Sequence, residues 1–312
     1  MPLRDVLSSP AIVNLTLLVA CGIWVLKDER DKSRRILFLV TVVNLIYPVL
    51  FSFFMAAANS VLHWKYDYYL SSLDRILGVS SNGIALAVQP AWPALRVVYY
   101  VILPAMIFWL ALNRKIIGVL ARAYAAEFIV GPAFYPLLPA GGPLYAFGNG
   151  WTHSPVVQAK LVRLAAAPIN AFPSLHLASA FLFVLTARSW LWRGIALVFF
   201  AATGLATLTT GEHYVIDLVP GLVFGCFLLS LGKLRIGRAI GYLAVTVAWS
   251  VAIRFGVNAL LAHPAVVQLS AVSTALVAGH GIWAEWRSET AMVPGRKPGH
   301  APSEASPAVP FA

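Results

Sequence analysis

Residues 172–186, FPSLHLASAFLFVLT, and residues 213–231, HYVIDLVPGLVFGCFLLSL, decide how this chain folds. Each opens on a polar run containing a histidine: Phe172-Pro173-Ser174-Leu175-His176 in the first, His213-Tyr214-Val215-Ile216-Asp217 in the second. Each then continues as an apolar stretch long enough for a transmembrane helix, which needs about 20 such residues. A further apolar stretch, 194–210, lies between them. If all three cross a bilayer, His176 and His213 emerge at the same face. Two imidazoles and a carboxylate would then meet at a lipid–water boundary.

The rest of the chain fits that setting. Of 312 residues, 60% are hydrophobic and 11% charged, against about 25% charged in a soluble domain. The reading is an all-α, polytopic integral membrane protein with nine spans, near 11–26, 36–57, 96–112, 116–139, 173–192, 194–210, 213–231, 237–254 and 265–284. The net charge of +11 does not point to nucleic acid, because the basic residues sit mostly in short loops between apolar runs, where they set topology. With loop 27–35 placed inside, the inner loops collect most of them: Lys27, Arg30, Lys32, Arg34 and Arg35, then Arg114 and Lys115, Arg188 and Arg193, Lys233, Arg235 and Arg238. That orientation needs an outside N-terminus and puts both histidines outside. Cys21 and Cys226 both lie in apolar runs, with no disulfide or metal spacing. Leu18-Val19-Ala20-Cys21 resembles a lipoprotein cleavage box, but the apolar run continues past it into Lys27-Asp28-Glu29-Arg30, as a membrane span ending in an inner loop would.

Two outer segments are long. In 58–95, aromatics mix with charges (His63 to Leu70), and Leu73, Ile76 and Leu77 follow at helical spacing. This suits a helix lying in the interface, although an aromatic belt without chemistry is the simpler account. Residues 140–172 are rich in Gly and Pro and lead straight into the first histidine run, so they are expected to cap or line the site. The tail after about 287 has low hydrophobicity and no period, and reads as disordered and cytoplasmic.

His213 and Asp217 are four apart, so on a helix they share a face. A carboxylate on one imidazole nitrogen fixes the tautomer and raises the basicity of the other. Such a histidine is suited to attack phosphorus and become phosphohistidine; a plainer role for the pair is to seal a helix end. Pro173 suits the first turn of a helix. The free amides of that turn, with the Ser174 hydroxyl, would make an anion site beside His176, which could act as general acid and base. Elsewhere, Arg122 and Glu127 lie within the fourth span, where Arg122 can snorkel and Glu127 has no assigned role. His153 is a candidate head-group contact, and His63, His263 and His280 read as structural or interfacial.

PSLHLASA and GEHYVIDLVPG resemble the second and third signature motifs of the type-2 phosphatidic acid phosphatase superfamily, closest to its inositol phosphorylceramide synthase-like branch. The stretch Gly131-Pro132 to Leu138-Pro139-Ala140-Gly141-Gly142-Pro143 is similar to that branch as well, and the resemblance spans about 95–235. It implies a six-helix core with His213 as nucleophile, Asp217 as its orienting partner and His176 as acid/base, and neither cofactor nor metal. The chain departs from the wider superfamily in two places. Ala206 and Thr207 stand where Ser-Arg is usual, and Lys160 is followed by Ala167-Pro168 rather than Arg-Pro. Lys160 and Arg163 are then the outer-loop cations nearest the His176 run, and with Ser174 they are the candidates for holding phosphate.

The expected function is a membrane lipid phosphoesterase or phosphotransferase with a phosphohistidine intermediate. Transfer of a phospho-head group between phospholipid or sphingolipid molecules is preferred; hydrolysis by water is the alternative, and a non-catalytic anionic-lipid transporter a third reading. The expected organisation is an N-terminal part (1–95), a catalytic core (96–235), a C-terminal pair of spans (236–286) and the tail (287–312). The expected setting is a bacterial-type inner or plasma membrane with the site on the outer, periplasmic face.

Overall fold

The computed structural model describes residues 16, 19–20, 31–153, 157–164 and 168–290. The expected first span at 11–26, with Cys21, and the expected tail beyond 290 fall largely outside them. Among the described residues there are twelve α-helices: α1 (Lys32–Asn59), α2 (Asp67–Ile76), α3 (Ser81–Ala87), α4 (Trp92–Tyr100), α5 (Ile102–Leu112), α6 (Ile117–Phe134), α7 (Pro143–Phe147), α8 (Leu175–Thr186), α9 (Trp190–Thr209), α10 (Val215–Gly232), α11 (Ile236–Ala262) and α12 (Pro264–Thr290). One antiparallel ladder of two residues a side, β1 (Trp64–Lys65) with β2 (Val162–Arg163), ties the segments 58–95 and 140–172 together.

Six of these helical segments are long and apolar enough to cross a membrane: Lys32–Asn59, Arg114–Phe134, Trp190–Thr209, Val215–Gly232, Ile236–Ala262 and Pro264–Ser288. A seventh span is formed if Gln89–Tyr100 and Ile102–Leu112, bent by 58°, count as one. The chain is a multi-pass, all-α membrane protein. The expected nine continuous spans differ from this in two described places. The 96–112 run breaks at Val101, because Pro104 has no N–H to bond the Tyr100 carbonyl. The 173–192 run is helical only over Leu175–Thr186; the chain then turns and Ser189 caps α9, its hydroxyl accepting from Trp192 N at 3.3 Å.

Side-chain contacts define two ends of the bundle. At one end Glu285 of α12 pairs with Lys233 and Arg235 of the α10–α11 turn. There Arg122 Nε donates to the Gly232 carbonyl at 2.9 Å, and Arg193 donates to the Ala187 and Trp286 carbonyls. At the other end lie the starts of α8 and α10, the loop 139–142 and α2. α8 joins the two ends through the centre of the bundle and packs against α5, α6, α9, α10 and α12. Ten of its twelve residues are buried. Leu120, Phe181, Leu182, Phe224 and Leu228 form the main core around it. A second cluster under the histidine end joins Leu70 and Leu73 of α2 to Phe172, Tyr214, Ile216 and Ile253.

Candidate active site

The site assembles where α8 and α10 begin. Ser174 caps α8, its hydroxyl accepting from Leu177 N at 3.4 Å, and Ser174 N donates to the Asp217 carbonyl at 3.2 Å. The two helix starts are thus bonded directly to each other. Gly221 permits this approach, since a Cβ there would lie 2.9 Å from the Ser174 carbonyl oxygen. Pro173 stands before the cap rather than in the first turn, where the sequence had suggested it.

His213 and His176 face each other, their ring centroids 6.3 Å apart at 66°. His213 is 2% exposed. Its Nδ1 lies 2.6 Å from the Ala171 carbonyl oxygen. A carbonyl only accepts, so Nδ1 carries the proton and Nε2 keeps its lone pair. That Nε2 lies 3.4 Å from Ser174 Oγ. Burial pushes the ring's pKa down to about 4, against the opposing charge of Glu212 and the bond to Ala171. At neutral pH the ring is therefore uncharged.

Asp217 Oδ2 stands 3.6 Å from His213 Nδ1, so the two side chains meet as their spacing suggested, and the same oxygen accepts from Tyr214 N at 2.8 Å. α10 starts at Val215, so His213 precedes the helix and the pair meets across its first turn. The Ala171 carbonyl makes the closer contact with Nδ1.

His176 is fixed by stacking on Tyr99 of α4, with centroids 4.2 Å apart at 15°. Beside His213, Glu212 accepts from the Tyr145 hydroxyl at 3.1 Å, and burial raises its pKa against the charge of His213. Loop 140–142 seats against this turn. Gly142 has φ +97°, and a Cβ there would come within 2.4 Å of the Glu212 carbonyl oxygen.

Two aspartates of α2 hold this end together. Asp67 accepts from Gly141 N, Gly142 N and the Tyr214 hydroxyl. Asp74 accepts from Val215 N at 3.0 Å, Ile216 N at 2.8 Å and the Ser81 hydroxyl, which caps α10 from outside the helix. Burial raises their pKa values to about 6 and about 7, opposed in each case by those hydrogen bonds.

Lys160 and Arg163 are exposed on the segment 157–164, Arg163 opposite Trp64 in the ladder. Neither lines the cavity beside His176. Lys65, on the opposing strand, is turned inward onto Asn59 Oδ1 and the Leu62 carbonyl, and burial lowers its pKa to about 8. Ala206 and Thr207 are buried in α9, and the Thr207 hydroxyl bonds its own helix at Gly204. His153 is exposed and paired with Thr152. Glu127 faces inward and accepts from the Ser179 hydroxyl at 2.5 Å.

Tyr99, Ala171, Glu212, Asp67 and Asp74 were not singled out from the sequence. The aspartates had left a signal, since a seven-residue spacing puts two carboxylates on one helix face. Glu212 lies inside the histidine motif itself. Nothing in the sequence marks the Ala171 carbonyl.

A model of the PAP2 superfamily matches residues 69–231, more than half of the chain, and the chain belongs to that superfamily. No curated protein and no solved structure matches it. Membership supports a phosphatase-type phosphoesterase acting on lipid phosphates. The matched region opens within α2, so it takes in Asp74 as well as both histidines.

Proposed function

We propose that the protein transfers a phospho-head group between lipids, with His213 as nucleophile, in the manner of the inositol phosphorylceramide synthase-like branch. His213 Nε2 attacks the phosphorus of a lipid phosphoester. As the P–N bond forms, the P–O bond to the lipid breaks, and His176 gives a proton to the departing oxygen. A lipid alcohol then gives its proton to His176 and attacks the phosphohistidine, which frees His213. The Ala171 carbonyl holds the tautomer that leaves Nε2 available, and Asp217 stabilises the Nδ1–H side as positive charge develops. The unprotonated Nε2 of His213, set opposite His176, is the observation that carries this reading.

Lipid alcohol is favoured over water because no Lys or Arg is among the residues lining the cavity at His176, while Glu212 adds negative charge beside His213. A phosphomonoester carries nearly two charges and would need more compensation than the single charge of a diester. In this reading Ser174 and the first amides of α8 contact phosphate, and Lys160 and Arg163 attract anionic head groups from the loop. Residues 96–235 carry the chemistry, and the site opens to the outer face.

The test uses purified protein in mixed micelles with a radiolabelled phospholipid diester and a lipid alcohol as acceptor. Wild type is expected to form an acid-labile phosphoenzyme and a new phospholipid, both lost in His213→Ala. Release of the phospho-head group to water without a new lipid would make the enzyme a hydrolase, and an undiminished phosphoenzyme in His213→Ala would exclude the nucleophile.

A further inference from the structure

A histidine that gives and takes protons is oriented by what bonds its ring. His213 has the Ala171 carbonyl on Nδ1. Among the described residues, no hydrogen bond holds either ring nitrogen of His176. In its place stands the face of Tyr99, parallel to the imidazole within 15° at 4.2 Å between centroids. The other ring in contact is His213, tilted by 66°.

The break in the α4–α5 span supplies this contact. Tyr99 lies two residues before the break at Val101, where α4 turns 58° from the line of α5 and packs on α9. The last turn of α4 thereby meets the start of α8 through the Tyr99–His176 pair. Tyr100 closes on Tyr99 edge-on, with centroids 5.6 Å apart at 85°.

The face of a tyrosine ring carries negative charge density. A cation within about 6 Å of the centroid is attracted to it, and the more strongly the drier the site. Imidazolium gains from that attraction and neutral imidazole does not. A general acid must carry its proton before the reaction begins, so the contact favours the form of His176 that can serve a departing oxygen.

We infer that Tyr99 is a positioning residue for His176: its ring face fixes the plane of the imidazole and stabilises the protonated ring, the task that a carboxylate performs for other acid–base histidines. The inference rests on the acid–base role proposed for His176.

The test compares two phosphodiesters with the same head group in mixed micelles, one with an alkyl leaving group and one with a nitrophenyl group, following phosphoenzyme formation in single turnovers. Nitrophenolate departs without a proton, whereas an alkoxide needs one. His176→Ala should slow the alkyl ester far more than the nitrophenyl ester. Tyr99→Leu should slow the alkyl ester about ten-fold and leave the nitrophenyl ester near wild type, which also shows that the site is still folded. Without the ring face, His176 loses its proton at lower pH, so the alkaline limb of the alkyl profile should move down by about one unit. Tyr99→Phe keeps the ring face and should match wild type on both esters. Equal slowing of both esters by Tyr99→Leu, an unmoved alkaline limb, or a Tyr99→Phe as slow as Tyr99→Leu would overturn the inference. Equal slowing of both esters by His176→Ala would overturn the acid role itself, and the inference with it. Selective slowing by His176→Ala with none by Tyr99→Leu would keep that role and reject Tyr99 alone.

Discussion

At the scale of single residues, the proposed chemistry depends on a lone pair. His213 offers Nε2 because a backbone carbonyl occupies Nδ1, and burial keeps the ring neutral down to a pKa of about 4. A depressed pKa means that the folded protein binds fewer protons than the unfolded chain between about pH 4 and 6.5. The stability from the neutral ring is thus full above 6.5 and is lost as pH falls through that window. For the free enzyme, the fall in kcat/KM caused by protonating His213 should set in only below about pH 4, while the need for a proton on His176 sets the limb on the alkaline side. A pH–rate profile with its acidic limb near 6.5 would show a solvated imidazole instead. Asp217→Asn separates the two jobs of that carboxyl. The amide oxygen of Asn can still accept from Tyr214 N, so thermal unfolding should change by less than the roughly 1 kcal/mol of a lost helix cap. Lost stabilisation of the ring cation should lower kcat with little change in KM. The sequence made His213, Asp217 and His176 legible because their types and spacing were unusual in apolar runs. It hid the role of Ala171, because a main-chain oxygen carries no residue identity.

At the scale of elements, α2 is what turns the start of α10 into a site. Asp74 bonds two of the free N–H groups of α10, and Asp67 bonds loop 140–142 and Tyr214 together. A helix was legible in 58–95 from the spacing of Leu73, Ile76 and Leu77. The partner of that helix was not, because those amides belong to a helix some 140 residues later. Asp74→Asn replaces an acceptor of three donors with a group that has one acceptor atom, leaving a buried N–H unpaired. The expected cost is about 1–3 kcal/mol, with loss of turnover as the His213 turn loosens. The pH dependence runs opposite to that of His213. With folded pKa values raised to about 6 and 7, Asp67 and Asp74 favour folding most below about pH 4, and that contribution is lost as pH rises through 6 to 7. Melting temperature should therefore decline between pH 5 and 8 in wild type, and the decline should be shallower in Asp74→Asn. An unchanged slope would mean that Asp74 does not titrate in that window.

At the scale of the whole molecule, the basic loops and the histidine site occupy opposite ends. Arg122, Arg193, Lys233 and Arg235 gather with Glu285 and Trp286 at one end, while Ser174, His213 and Asp74 meet at the other. The hydropathy pattern made the helices legible, but not the length of α8. Its residues are apolar because neighbouring helices surround it, so the apolar run did not measure a bilayer crossing. Twelve helical residues rise about 18 Å, short of the roughly 30 Å hydrocarbon layer. α8 therefore does not cross the layer by itself, and its burial comes from the helices around it. The tendency of Lys and Arg to cluster on the cytoplasmic side predicts that the histidine end lies outside. Single cysteines at Gly150 and Lys115, in a Cys21→Ser, Cys226→Ser background, test this. Gly150 is exposed, with open space where a Cβ would go, in the loop at the histidine end, and Lys115 is exposed in the turn before α6 at the basic end. A membrane-impermeant thiol reagent on intact cells should label Gly150→Cys, and should label Lys115→Cys only after lysis. The reverse pattern would turn the site inward and make the lipids of the inner leaflet its substrates.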